Sequence, residues 1–450
     1  MEEYDIVIKN ATLVTMDEKN RVIKDGAIAI NKDRISFVGK TSEFKQRGEI
    51  EIDGTRKIVI PGLINSHTHM FQTLMRGVAD DLPLLKWLKE VIMPLSLNLK
   101  REHAYAGALL GCIENLKTGS TTIIDNHYIH FDPKNTEYVI KAIKETGIRG
   151  MVARGYYIRL ARPEFNEDLD KALKDVENLM RKWNGKENGR IMICPAPMTV
   201  WSQTEESLKK TVELAEKYDV PIHIHTAETK AEVELVKKHE GKTSVEWLYS
   251  IGVLNERFHL VHAIWLTDKE VKMVAKSGAH VVHNPVSNMI IGSGVAKVPL
   301  MIREDVNIGL GSDGPASNNN EDMVEVLKFA SLLHKVHHVN PAIITANQVF
   351  KMATLNGAKL LRMEDKLGSL EIGKKADITV IDINKSHIAP VHNPISAIVY
   401  CAYGTDVDTV IVDGKIVVRN GELITINEQE VLEKAWKAAY DLIEKTGMKN

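Results

Sequence analysis

Five side chains of the kinds that bind divalent ions stand at the ends of apolar runs in this chain. His67 and His69 lie two apart in NSHTHM, and residues two apart on a strand point to one face, so both imidazoles can reach a single ion. His225 closes VPIHIHTAE, His262 closes FHLVHAI and Asp313 closes IGLGSDG. Imidazoles and a carboxylate around one ion, with a water position left open, are what Zn²⁺ or Fe²⁺ hydrolytic chemistry requires. Taken singly, His225 and His262 would pass for packed core histidines and Asp313 for the cap of a helix. Their recurrence at one edge of successive runs is what points to a metal.

Glu228 follows His225 by three residues, in HTAE, where the chain leaves its strand and can turn back over the ion's water. It is the natural proton carrier. A bound metal lowers the pKa of its water from 15.7 to about 7, worth on the order of 12 kcal/mol of deprotonation free energy. His223 and His283 are read as groups that orient ligands. His127 and Tyr128 follow another apolar run and could line a pocket, with no role assigned.

These residues need a scaffold that brings distant strand ends together. From Tyr4 to about Ile60 the pattern is that of short strands and turns. Eight apolar runs then alternate with amphipathic segments, the first ending in HTH, followed by TTIIDN, RGMVARG, RIMICPAP, VPIHIHTAE, FHLVHAI, AHVVHNP and VNIGLGSDG. Nearly continuous apolar runs are expected of buried parallel strands, and eight in succession predict an α/β fold of the (β/α)8 TIM-barrel class; a doubly wound open sheet is the alternative. Active sites in such barrels lie at the carboxyl ends of the strands, where all the candidates fall. After Lys366 the chain returns to β character and finishes on a charged helix. The expected division is a small composite β-sandwich from residues 1–60 and 364–425, a metal-dependent barrel over 61–363, and a C-terminal helix over 426–450.

Composition narrows the function classes. The chain has 450 residues, 44% apolar and 26% charged, with a formal charge of −2, which suits a large globular core and excludes disorder. Lys and Glu are interspersed, unlike a nucleic-acid binder. The N-terminus lacks the basic start and apolar run of a signal peptide, and no segment approaches a membrane span. Cys112, Cys194 and Cys401 are too few and too scattered for a disulfide framework. A cytoplasmic location and a small-molecule partner are expected, with no nucleic acid or membrane.

HTH after VIPGLIN, HTAET, VHNPVSN and GSDGPASNNNEDM, with ADDLPLLKWL from Ala79 and GSLEIGKKADITVID near the end, together resemble the amidohydrolase superfamily. The resemblance is to its 5-methylthioadenosine/S-adenosylhomocysteine deaminase and triazine-hydrolase branch, the latter including atrazine chlorohydrolase and melamine deaminase, and it runs nearly end to end. It implies His67, His69, His225 and Asp313 as ligands of one divalent metal, zinc first and Fe²⁺ second. The two-metal members usually carry a lysine at the end of strand four, and this one ends CPAPM. Glu228 would move a proton to the ring nitrogen, Asp313 would take one from water and pass it to the leaving amine, and His262 would hold and polarise the attacking hydroxide. Relatives are commonly dimers or tetramers, so a homo-oligomer is implied.

For substrate binding the resemblance implies Trp87, Arg154, Met198 and Glu228. Two positions depart from the nucleoside deaminases: Ser96 stands where they carry a ribose-binding glutamate, and Met198 where they carry a histidine. The leading expectation is hydrolytic deamination of an adenosine-type heterocycle with release of ammonia. An s-triazine aminohydrolase or chlorohydrolase, or another purine-base deaminase, would share every catalytic residue. A catalytically inactive scaffold is a third reading, opposed by the retention of all six catalytic positions.

Overall fold

The computed structural model describes residues 3–78 and 80–447; Ala79, the first residue of ADDLPLLKWL, lies outside them. The N-terminal segment forms β1 (Glu3–Val14), β2 (Val22–Asn31), β3 (Arg34–Lys40), β4 (Arg47–Asp53) and β5 (Lys57–Pro61). Eight strands follow in alternation with helices: β6 (Leu63–Thr68), β7 (Ser120–His127), β8 (Arg149–Tyr156), β9 (Ile191–Pro197), β10 (Ile222–Thr226), β11 (Phe258–His262), β12 (His280–His283) and β13 (Ile308–Leu310). The chain ends with β14 (Ile378–Asp382), β15 (Val407–Val412), β16 (Lys415–Arg419), β17 (Glu422–Leu423) and the helix Glu428–Thr446.

β6 to β9 and β10 to β13 form two parallel four-stranded sheets in chain order. Hydrogen bonds join their edges. The amide of His225 donates to the carbonyl of Met198 at 3.1 Å, and that of Asp313 to the carbonyl of His67 at 2.9 Å, so the eight strands form one ring. Met192 is the one residue of these eight strands that is not fully buried, as expected for a parallel sheet with side chains filling its inside and helices covering its outside. The helices read accordingly: Leu169–Trp183 buries Ala172, Val176, Leu179 and Met180 on one stripe, and the side chain of Asp168 caps its start by accepting from the amide of Lys171.

The two β-rich ends of the chain combine in one nine-stranded sheet, ordered β17-β16-β15-β14-β5-β1-β2-β3 with β4 beside β1. β5 pairs antiparallel with β14, Val59 opposite Val380. The sheet folds over a shared core that includes Ile8, Ile30, Ile35, Val59, Val380 and Ile411. The sandwich-like unit is therefore a single hydrogen-bonded sheet contributed by both termini. Gly62 alone separates β5 from the barrel strand β6; a Cβ there would lie 2.1 Å from Thr121 Oγ1, which excludes any side chain.

A buried ion network ties this sheet to the barrel. Arg149, at the start of β8, makes two 2.9 Å hydrogen bonds to Asp377 and approaches Asp413 at 3.5 Å. Lys375 bridges Asp413 and Asp33, each at 2.6 Å. The C-terminal helix is held to the helix Arg101–Lys117 by Lys117–Glu428 and His103–Asp441 contacts, both 2.7 Å. Among the described residues no helix is long and apolar enough to cross a membrane.

Candidate functional site

His67 lies on β6 and His69 just beyond it; His225 lies on β10, His262 ends β11, and Asp313 follows β13 by three residues. At these exits the chain bends sharply. Ala227, His262, Ala263 and Asp313 all have left-handed backbones, with φ of 48°, 68°, 48° and 64°. Each such residue costs on the order of 1–3 kcal/mol, offset here by cross-strand hydrogen bonds such as Ala263 N to Thr226 O at 3.0 Å. The bends direct side chains from separate strands to one point.

Candidate ligand atoms of His67, His225 and His262 all lie within 4.8 Å of one another, and so do those of His67, His69 and Asp313. Asp313 Oδ1 is 3.2 Å from His67 Nε2 and 3.6 Å from His69 Nε2. Each imidazole is oriented through its other nitrogen. Nδ1 meets the carbonyl of Asn126 for His69 (2.6 Å), the carbonyl of Met198 for His225 (2.9 Å) and Oδ1 of Asn288 for His262 (2.9 Å), while His67 Nδ1 meets His223 Nε2 (2.8 Å). Four Nε2 atoms are thereby left to converge, and that of His67 is buried without any hydrogen-bond partner. Such a donor set fits one divalent cation, because the ligands must be neutral imidazoles and an ionised carboxylate.

The electrostatics agree. Burial pushes His69 down to about 3 and His262 to about 4, and holds His225 well below its ordinary value. Burial would raise Asp313, but the close approach of the His67 ring, and then the nearness of His262 and His69, hold it well below the carboxylate range. Glu228 goes the other way. Burial, then the nearby Glu232 and Asp313, raise it well above its ordinary value. Its Oε2 is 3.5 Å from His262 Nε2, and Ser293 Oγ donates to its Oε1 at 3.4 Å.

Above the cluster opens a narrow cavity of about 40 Å³. Leu84, Trp87, Leu88, Met198 and Ile291 give it apolar walls, with Gln72, Tyr128, Tyr157 and Glu232 adding polar atoms. Trp87 is fixed by a hydrogen bond from its indole to the carbonyl of Ala316 at 3.2 Å.

Four sequence candidates fall elsewhere. Arg154 does not line the cavity; its guanidinium is held by Glu167 at 2.7 Å and Asp175 at 3.0 Å. Ser96 is fully buried, with a hydroxyl that has no partner, and is likewise absent from the lining. His127 hydrogen-bonds the carbonyl of Ile129 at 3.0 Å, and His283 meets His334 at 3.2 Å.

Sequence reasoning missed Glu232, Tyr157 and Glu321. Glu232 had a signal, the Thr229-x-x-Glu232 spacing of a capping box, which the structure bears out while also presenting the residue to the cavity and to the Trp201 indole at 2.9 Å. Glu321 is fully buried and accepts hydrogen bonds from Thr68, Asn65, Asn115 and Ser312, at 2.5, 3.0, 3.2 and 2.7 Å. It thereby clamps the segment carrying His67 and His69 to the residue preceding Asp313.

The amidohydrolase family profile matches residues 58–417. The chain is 38% identical over 441 residues to a 5-methylthioadenosine/S-adenosylhomocysteine deaminase of Thermoanaerobacter pseudethanolicus, covering 98% of this chain and 100% of the relative. It is 42% identical over 427 residues to a 5'-deoxyadenosine deaminase of Methanopyrus kandleri, covering 94% and 96%. Its structure is similar to that of an adenosine deaminase from Xanthomonas campestris with bound zinc, with a TM-score of 0.93, 28% identity and coverage of 98% and 99%. It is also similar to an atrazine chlorohydrolase from Arthrobacter aurescens complexed with zinc, with a TM-score of 0.90, 26% identity and coverage of 96% and 100%. With the profile spanning most of the sequence and these relatives aligned over nearly their whole length, the chain belongs to the amidohydrolase family.

Proposed function

We propose that this protein is a metal-dependent hydrolytic deaminase of 5'-methylthioadenosine/S-adenosylhomocysteine-type adenosines, replacing a ring amino group by oxygen and releasing ammonia. The observation that carries the reading is the opposed proton affinity of Glu228 and Asp313, both beside His262 at the floor of the cavity. Two carboxyl groups driven apart in this way divide the labour of acid and base. The names of the deaminase relatives support the substrate class.

His67, His69, His225 and Asp313 would hold one divalent ion, taken as zinc from the zinc-containing neighbours. When bound, the ion supplies Lewis acidity that lets water ionise near neutral pH. Glu228, protonated at rest, delivers its proton to the ring nitrogen next to the carbon under attack, so that carbon becomes electrophilic. Asp313 accepts a proton from the attacking water and returns it to the departing amine, which leaves as ammonia, while the adduct's remaining hydroxyl proton passes back to Glu228 as the ring carbonyl forms. His262, neutral and with Nδ1 committed to Asn288, offers its Nε2 lone pair to the water and fixes its direction. Trp87, Leu84, Leu88 and Ile291 enclose the ring and exclude competing solvent.

Met198 and the apolar walls equally suit an s-triazine, and that second reading shares every catalytic group. We further propose that the enzyme works in a reducing cytosol as a homo-oligomer. Three cysteines that form no disulfide support the first, and the exposed Val336 and Val339 the second.

The test is ammonia and chloride release from zinc-loaded enzyme with methylthioadenosine, S-adenosylhomocysteine, 5'-deoxyadenosine, adenosine, guanine, melamine and a chlorotriazine. Ammonia from the adenosine compounds is expected. Turnover confined to triazines or free bases would move the assignment to the second reading, and none with any compound would overturn both.

A further inference from the structure

Three of the four imidazoles at the site are oriented by oxygen acceptors, the carbonyls of Asn126 and Met198 and the amide oxygen of Asn288. His67 is different. Its Nδ1 meets another imidazole nitrogen, His223 Nε2, at 2.8 Å; His223 Nδ1 meets His259 Nδ1 at 3.4 Å; and His259 Nε2 meets the backbone carbonyl of Leu360 at 2.8 Å. All three rings are buried. His259 is the second residue of β11, and Leu360 ends the helix Leu355–Leu360, so the chain of rings runs from the site toward the amino-terminal face of the barrel.

The last partner decides the sense of the whole chain. A carbonyl oxygen only accepts, so His259 Nε2 carries the hydrogen, and a neutral imidazole has one N–H. His259 Nδ1 is then a lone pair that accepts from His223 Nδ1–H. His223 Nε2 is in turn a lone pair that accepts from His67 Nδ1–H. His67 Nε2 is left bare, facing Asp313 Oδ1 at 3.2 Å. The reverse arrangement would give His67 an Nε2–H that could donate to Asp313, but would set the lone pair of His259 Nε2 against the Leu360 oxygen.

We propose that His223 and His259 are positioning residues that, through this one-way series of N–H donors anchored on the Leu360 carbonyl, hold His67 in the tautomer that presents an Nε2 lone pair to a metal. The series sets His67 before any metal arrives. It forbids the His67–Asp313 hydrogen bond that would otherwise compete with metal binding, and extends the site's support to a barrel face whose residues ordinarily serve stability alone. The proposal rests on the reading of His67 as a metal ligand and is independent of the substrate.

The experiment uses the full chain with ¹⁵N-labelled histidine, stripped of metal, and reads tautomers by long-range ¹H–¹⁵N correlation; His67 is assigned by its loss in H67N. The expected result is His67 protonated at Nδ1 without metal. Protonation at Nε2 overturns the proposal. Zinc affinity is then measured by competition with a chromophoric chelator, without substrate. H223L and H259F are expected to bind zinc about 10- to 100-fold more weakly. H223Q and H259Q, whose amides can both accept and donate along the series, are expected to recover most of it. Equal affinity in all four variants, or no difference between Gln and apolar replacements, overturns the proposal. Should an apolar variant not fold, the tautomer in the unmodified chain still decides. Wild-type zinc affinity without deaminase activity would instead count against the proposed function.

Discussion

Glu228 and Asp313 share one imidazole: His262 Nε2 lies 3.5 Å from the first carboxyl and 3.9 Å from the second. Burial raises the proton affinity of Glu228, while the surrounding imidazoles hold Asp313 ionised against the same burial. A protonated and an ionised carboxyl thus stand within reach of one reacting centre.

Glu228→Gln removes the mobile proton and keeps the shape. Turnover is expected to fall by roughly 10²- to 10⁴-fold with metal content unchanged and KM close to that of the parent. Steady-state kinetics with metal analysis checks this, and parental turnover would remove Glu228 from the proton path.

Ser96→Glu restores the acid that nucleoside deaminases carry at this place, into a position that is fully buried and off the cavity lining. An unpaired buried carboxyl is costly. The variant is expected to melt several degrees lower with no gain in KM for adenosine substrates; an improved KM would mean that the side chain reaches the cavity.

Arg149→Met leaves Asp377 and Asp413 without their shared cation in a buried setting. Breaking such a pair costs about 3–5 kcal/mol. Denaturant unfolding should report a loss of that size, whereas a change below about 1 kcal/mol would show that water or Lys375 replaces the guanidinium.

Acid should destabilise the fold early. Burial pushes His259 down to about 3 and His334 to about 4, so these rings stay neutral when folded. The unfolded chain takes up protons near pH 6.5. Stability from this source is complete above that pH and declines as pH falls from about 6.5 toward 4, because the unfolded state binds more protons. Melting temperatures at pH 7.5, 6 and 5 should fall in that order. At pH 7.5, chelation should lower the melting temperature further through loss of metal binding, and no response to chelator would argue against a bound ion.

The strand ends carrying His67, His69, His225, His262 and Asp313 were legible because ligand residues and apolar runs are local patterns, and eight runs in series imply which ends converge. The two β-rich termini were also rightly expected to join, although the single sheet they make depends on β5 meeting β14, a pairing no local pattern specifies. Arg154 illustrates the limit. Its own segment matches a substrate-binding pattern, but Glu167 and Asp175, 13 and 21 residues on, take its guanidinium. Glu321 was invisible because its partners come from β6, the helix Arg101–Lys117 and the loop after β13.

The pairing of Val59 with Val380 also sets a timetable for synthesis. β5 emerges from the ribosome about 320 residues before its neighbour β14, an interval of tens of seconds at 5–20 residues per second. During that time an apolar strand edge is available to any other nascent chain. Gly62 joins this waiting strand directly to the first barrel strand, so the barrel begins to assemble beside an unfinished sheet. A circular permutant that delivered β14 to β17 before β1 would close that window, and would be expected to give more soluble protein from the same rate of translation.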